Sequence, residues 1–144
     1  MGTYPYSISW SSRVCCASRL CARFGLVYYG CCDPLDGKMN EVRLLPNVRK
    51  VSMSPWVKQE RGAAEIGSQF VYSRKPSPAL LAWDAFDTEQ VREEILATRL
   101  VCEKHGCPLE YILKDVSTVR YEPQRLFNWA EIAMQVVGGS TGTC

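Results

Sequence analysis

Four short clusters in this 144-residue chain carry side chains that can do chemistry. They are Tyr29-Gly30-Cys31-Cys32-Asp33, Ser52-Met53-Ser54-Pro55-Trp56, Ser73-Arg74-Lys75-Pro76, and Lys114-Asp115-Val116-Ser117-Thr118 followed by Arg120. Each follows a segment that reads as a β-strand, and in parallel α/β folds the working residues lie at the carboxyl ends of strands. Cys31 and Cys32 offer a nucleophilic thiol or thiolate ligands for zinc. Equally, a cysteine can be a small buried residue beside an inert neighbour. Lys75 and Lys114 can hold an anionic substrate by charge. Asp115 suits a general acid or base, although ion pairing or helix capping is the commoner use of such a residue. Arg120 and Arg125 suit a carboxylate or phosphate, with plain solvation as the default.

Other signatures are missing. The chain has no GxGxxG, P-loop, GxSxG or HExxH, and no paired-carboxylate pattern of the glycosidase kind. The cysteines at 15, 16, 21, 31, 32, 102, 107 and 144 form no CxxC, which removes the usual redox and zinc-ribbon spacings. Cys102-Glu-Lys-His105-Gly-Cys107 holds metal-capable types, but it falls between a helix and a strand, at the end of the fold that serves stability. His105 there reads as a helix-end residue that favours the dipole.

The elements that must position these clusters follow from periodicity. From Ser12, the set Val14, Ala17, Cys21 and Phe24 recurs at helical spacing and Gly25 closes it. Leu26–Tyr29 reads as a strand, Met39 to Leu45 as a short helix ended by Pro46, and Val48–Met53 as a second strand. Ser54-Pro55 predicts an N-cap and first helical residue for a helix over 55–66, weakened by Gly62 and closed by Gly67. Gln69–Ser73 is the third strand. Asp87 caps a long helix with Gln90 at N3, Val91, Ile95, Thr98 and Cys102 facing inward, and Gly106 at its end. Leu109–Lys114 is the fourth strand. Pro123 opens a last helix with Leu126, Trp129, Ala130, Ala133, Met134 and Val137 as its apolar stripe.

A helix followed by four βα units predicts an α/β fold with a parallel sheet and right-handed crossovers. A small doubly wound sheet and half of a (β/α)8 barrel both satisfy the pattern. Arg49, Lys50 and Glu110 fall inside strands, and a sheet covered on both faces should be nearly all apolar. That favours the half-barrel. The domain is expected at 12–137, with a disordered tail at 1–11 and a flexible one at 138–144.

Composition bounds the function. Apolar residues at 47% and charged residues at 22% mark a globular chain rather than a disordered or fibrous one. Seventeen basic against fifteen acidic residues is too small an excess to argue for nucleic acid or an anionic membrane. No apolar run approaches the roughly 18 residues of a membrane helix, and the N-terminus, with Arg13 and Arg19 among Ser and Cys and no continuous apolar stretch, reads as no signal peptide. The adjacent pairs Cys15-Cys16 and Cys31-Cys32 fit a secreted disulfide framework poorly, so free thiols in a reducing cytoplasm are expected.

The stretches FGLVYYGCCDPLDGKMNEVRLLPNVRKVSMSPW, FVYSRKPSPALLA and LEYILKDVSTVRYEPQRLFNWAEIAM resemble the uroporphyrinogen decarboxylase-like superfamily. More narrowly, they resemble its uncharacterised branch with GCCEPL-type and KDxSTVRYEPQRL-type motifs, related to corrinoid methyltransferases. The resemblance runs from Ala22 to Val137 and corresponds to the C-terminal part of a family member. It implies the C-terminal half of a (β/α)8 TIM barrel, decarboxylase (lyase) or methyltransferase chemistry, and a small organic or tetrapyrrole-like substrate. The methyltransferases hold zinc through a His-x-Cys motif, matched here by Tyr29-Gly30-Cys31 with tyrosine in place of histidine.

Taken together, the expected site has Asp115, Lys114 and Tyr29 as catalytic residues, Lys75, Ser54, Thr118 and Arg120 for substrate, and Cys31 and Cys32 for a metal, with zinc as the candidate. Without the N-terminal half of the barrel the chain is expected to be inactive alone. The partner is then that missing half or a second copy in a homodimer. Two further readings stand beside this one: a non-catalytic, self-associating remnant, and a thiol-based metal module using Cys15, Cys16, Cys21, Cys31 and Cys32.

Overall fold

A computed structural model describes residues 10–138. The expected tails fall mostly outside them, although Trp10, Ser11 and Gly138 belong to helices. The elements in chain order are α1 (Trp10–Cys21), β1 (Val27–Tyr29), α2 (Met39–Val42), β2 (Val48–Met53), α3 (Gln59–Ile66), β3 (Val71–Arg74), α4 (Ala79–Ala82), α5 (Thr88–His105), β4 (Leu109–Tyr111) and α6 (Gln124–Gly138).

The four strands form one parallel sheet in the order β1-β2-β3-β4. The α/β class and the parallel sheet are therefore as expected. Strand order never reverses, and reversal is what defines a doubly wound sheet. Crossovers of one hand between successive strands stack the helices on one face, and α3 packs on α5 and α5 on α6.

Alternation along the strands separates two faces. On the helix side, Val51, Met53 and Tyr72 join Leu35, Met39, Val42, Val57, Ala63 and Ile66 in a core, with Tyr29 and Leu109 packed against it. The opposite face is polar. Lys50 Nζ meets Glu110 Oε2 at 2.5 Å, Ser73 Oγ donates to Tyr28 Oη at 3.0 Å, and Ser52 Oγ donates to the Cys31 carbonyl at 3.0 Å. Polar residues inside strands thus have a physical home: they belong to a sheet with only one helix-covered side.

A second core joins α4, α5 and α6 through Leu80, Leu81, Val91, Ile95, Trp129, Ile132, Ala133 and Val136. The predicted inner face of α5 is buried at all four positions, Val91, Ile95, Thr98 and Cys102. Asp87 caps that helix by accepting from the backbone N–H of Glu89 and Gln90 at 3.0 and 3.1 Å. Gly106 ends it in the left-handed region, at φ 66°.

Several expectations change. The third strand is Val71–Arg74 rather than 69–73, and the fourth ends at Tyr111 rather than Lys114. The helix after β2 starts at Gln59, not Pro55, with Lys58 as N-cap and no side-chain cap bond; residues 54–57 instead make a turn in which the Val57 N–H reaches the Ser54 carbonyl. Gly62 is a packing residue, because a Cβ there would stand 3.3 Å from Val57 Cγ2 and 3.6 Å from Met53 and Tyr72. Helix α6 is rotated from its predicted stripe: Trp129, Ile132, Ala133 and Val136 are buried, while Met134 is 73% exposed and Leu126 and Val137 also face outward. Arg125 sets that rotation. Its guanidinium, 3% exposed, donates to the carbonyls of Leu81, Trp83 and Asp84 and pairs with Glu122. It is a structural clamp rather than a ligand group.

Candidate functional site

The turns after all four strands meet in one cleft of about 190 Å³. Cys32 enters it from β1, Ser54 and Trp56 from β2, Lys75 from β3, and Lys114 and Asp115 from β4. Pro55, Pro76 and Pro78 complete the wall. The strand-end rule therefore brings Cys32, Ser54, Lys75, Lys114 and Asp115 together from positions spread over more than eighty residues.

Lys75 is the most unusual member. It continues β3 through a bond from its N–H to the Met53 carbonyl at 2.8 Å, and it is only 7% exposed. Among the described residues no carboxylate pairs with its ammonium; its neighbour is the Tyr28 ring, with the centroid 5.9 Å away. Such a contact is worth about 0.5–2 kcal/mol, less than the several kcal/mol it costs to bury an ion. Beside it, Ser54 is 1% exposed. Among the described residues its hydroxyl has no hydrogen-bond partner.

The Ser54 backbone, by contrast, is held firmly. Arg74, 3% exposed, donates from Nη1 to the Ser54 carbonyl at 2.7 Å and from Nη2 to Glu94 at 3.4 Å. Glu94 also accepts from the Ser77 N–H at 3.1 Å. One buried arginine and one carboxylate on α5 thus fix the turns after β2 and β3 together. Sequence reasoning placed Arg74 in a cluster without giving it this task.

At the other side, Lys114 Nζ lies 2.7 Å from Asp115 Oδ2 and 3.7 Å from Cys32 Sγ. The hydrogen bond to Asp115 holds the Lys114 pKa above its ordinary value, with the ion-pair attraction adding to it and burial opposing it. Asp115 takes a left-handed φ of 57° to make this contact. It is an ion-pair partner, the alternative that its residue type allowed from the start.

The remaining candidates lie elsewhere. Tyr29 packs on the helix-side core, because it follows Tyr28 and successive residues of a strand face opposite ways. Tyr28 is the tyrosine that meets Lys75, and alternation counted from the strand end was the signal for it. Thr118 Oγ1 accepts from the Arg120 N–H at 3.0 Å, and Arg120 pairs with Asp84 at 2.5 Å; neither lines the cleft. His105 sits 2.9 Å from Glu60, which also pairs with Lys104. Hydrogen bonds from Lys104 and then His105 keep the Glu60 pKa low.

Cys31 and Cys32 part ways. Cys31 packs against the core and accepts from the Asp33 N–H at 3.4 Å, while Cys32 faces the cleft and Lys114. Among the described residues no three His, Cys, Asp or Glu side chains gather to hold a metal, the cysteines of α1 included. Cys102 and Cys107 lie in the core, where burial pushes the Cys102 thiol up to about 12. Among the described residues no helix is long and apolar enough to cross a membrane. Comparison with family models, curated proteins and solved structures finds no match to this chain.

Proposed function

We propose that this chain is a half-barrel of the uroporphyrinogen decarboxylase-like type, the C-terminal half of a (β/α)8 fold, whose cleft binds the carboxylate of a small organic substrate. One observation carries the binding role: a nearly buried lysine without an acidic partner lies in the same cleft as a buried serine hydroxyl without a hydrogen-bond partner. An anion answers both, since it neutralises Lys75 and accepts from Ser54. Lys114 lines the same cleft with its charge met by Asp115 at 2.7 Å, which leaves Lys75 as the cation without an acidic partner there among the described residues. The consecutive parallel strands and the quoted motifs support the barrel type. A volume of about 190 Å³ suits a small carboxylate better than a whole tetrapyrrole.

Decarboxylation or methyl transfer belongs, in this reading, to a ring of eight strands, of which this chain supplies four. Free thiols throughout the described cysteines favour a reducing compartment such as the cytoplasm. Titration calorimetry with malonate, a small dicarboxylate, tests the binding role. Wild-type protein is expected to bind and Lys75→Met to lose binding. Absence of binding by the wild type, or equal binding by both proteins, overturns it.

A second reading, self-association, has its own observation. Among the described residues, strands β1 and β4 both leave one edge unpaired, and an apolar groove of about 360 Å³ runs along β4 beside Trp129, Ala133, Met134 and Val137 of α6. Leu26 stands exposed at the β1 edge. Two copies joined β4 to β1 about a two-fold axis would close the ring and cover both edges. Native mass spectrometry under reducing conditions should show a dimer that Met134→Glu weakens; a wild-type monomer at every concentration removes this reading.

A further inference from the structure

We infer that Cys32 is a nucleophile toward the anion held in this cleft, so that the site takes a small carboxylate bearing a leaving group on a neighbouring carbon and alkylates its own thiol. The inference rests on the carboxylate-binding reading and adds a reaction to it. Three features converge. Cys32 is exposed on the cleft wall. The Lys114 ammonium lies 3.7 Å from its sulfur, on the side of the cleft where an anionic group would be drawn in. The nearly buried Lys75 and the buried Ser54, whose hydroxyl has no partner among the described residues, line the same small space, where the lysine would anchor the carboxylate end of the molecule. Anchoring at one end and attack at the other converts a collision into a positioned reaction. The other described cysteines lack this setting. Cys15 and Cys16 are exposed on α1, Cys21, Cys102 and Cys107 are buried, and Cys31 packs on the core.

In the step, the Cys32 sulfur attacks the electrophilic carbon and a C–S bond forms. The bond from that carbon to its leaving group breaks, and the leaving group departs with the electron pair. The thiol proton passes to solvent water. No oxidant or reductant is needed.

Iodoacetate and its neutral analogue iodoacetamide make the test, with alkylation of Cys32, Cys15 and Cys16 followed separately by peptide mass spectrometry. With iodoacetate, Cys32 is expected to react about tenfold faster than either helical cysteine, the scale of electrostatic focusing in a cleft. Malonate should slow that reaction. Lys114→Gln, at a half-exposed side chain, and Lys75→Met should each remove most of the advantage for iodoacetate and leave iodoacetamide less affected. If Cys32 reacts no faster than Cys15 or Cys16 while malonate still binds, the nucleophile is overturned and the carboxylate cleft stands. If malonate fails to bind and iodoacetate gains nothing at Cys32, both fall together.

Discussion

Arg74 and Ser54 lie twenty positions apart in the chain, and a 2.7 Å hydrogen bond from the guanidinium to the Ser54 carbonyl joins the end of β3 to the turn after β2. The bond holds the cleft's serine in place without using its hydroxyl, which is left without a partner among the described residues. Glu94 anchors the same guanidinium from α5. Replacing Arg74 with alanine therefore does two things, and they can be measured separately. Stability is expected to fall by about 3 kcal/mol, the cost of leaving one partner of a buried pair behind, seen as a lower urea midpoint. Malonate affinity should fall as well, even where the protein remains folded. The double replacement Arg74→Met with Glu94→Gln should cost less than the sum of the two single changes.

Lys75 gives the opposite sign. An ammonium buried without an acid weakens the fold, so Lys75→Met should raise the urea midpoint by about 1 kcal/mol equivalent. Binding of malonate should disappear in the same variant. A protein that is both more stable and unable to bind is the signature of a site; a Lys75→Met protein that is less stable means the lysine serves the fold.

Arg125 is a stability residue by the same logic. Its guanidinium serves three carbonyls at and beyond the C-terminal end of α4 and the Glu122 carboxylate at once. Arg125→Ala is expected to cost about 3 kcal/mol, and Arg125→Lys to recover little of it, because an ammonium cannot span the fork of acceptors. Denaturant melts of the two variants check this, with malonate binding unchanged in whatever fraction stays folded.

The Lys50–Glu110 pair predicts a pH dependence. Burial works upward on the Glu110 pKa, but the hydrogen bond and the positive charge of Lys50 outweigh it and hold the carboxyl below its ordinary value. A depressed folded pKa adds stability above the unfolded value, and that stability is lost as pH falls through the folded value. The urea midpoint should therefore decline on acidification below about pH 4.5. Glu110→Gln should flatten that decline. Equal slopes in the two proteins would show that the pair contributes nothing to the acid response.

Where local pattern and tertiary structure agree, the chain can be read directly. Val48–Met53 is a strand at both of its expected ends, and the Val91, Ile95, Thr98, Cys102 face and the Asp87 cap of α5 lie where spacing puts them. The cleft was reachable too, because parallel topology alone sends Cys32, Ser54, Lys75 and Lys114 to one end of the sheet. What pattern missed depends on distant partners. The rotation of α6 follows from Arg125 reaching carbonyls more than forty positions away. The late start of α3 goes with a Ser54 carbonyl already bound by Arg74. The exchange of Tyr29 for Tyr28 at the site is a one-residue matter of strand parity, which short strands specify weakly.

The three prolines on the cleft wall set how a ligand would come and go. Each locks one backbone dihedral, and they fall in the turns after β2 and β3, where a closing flap would otherwise be built. On the side built by these two turns, the wall has few soft torsions with which to fold over a guest. Selection at such an opening works by fit against a fixed outline, and little ordering entropy is lost on entry. Exchange with solvent then runs at the pace of diffusion and desolvation rather than of a gate. Trp56, projecting from the rim next to Pro55, is the natural place to watch it by fluorescence.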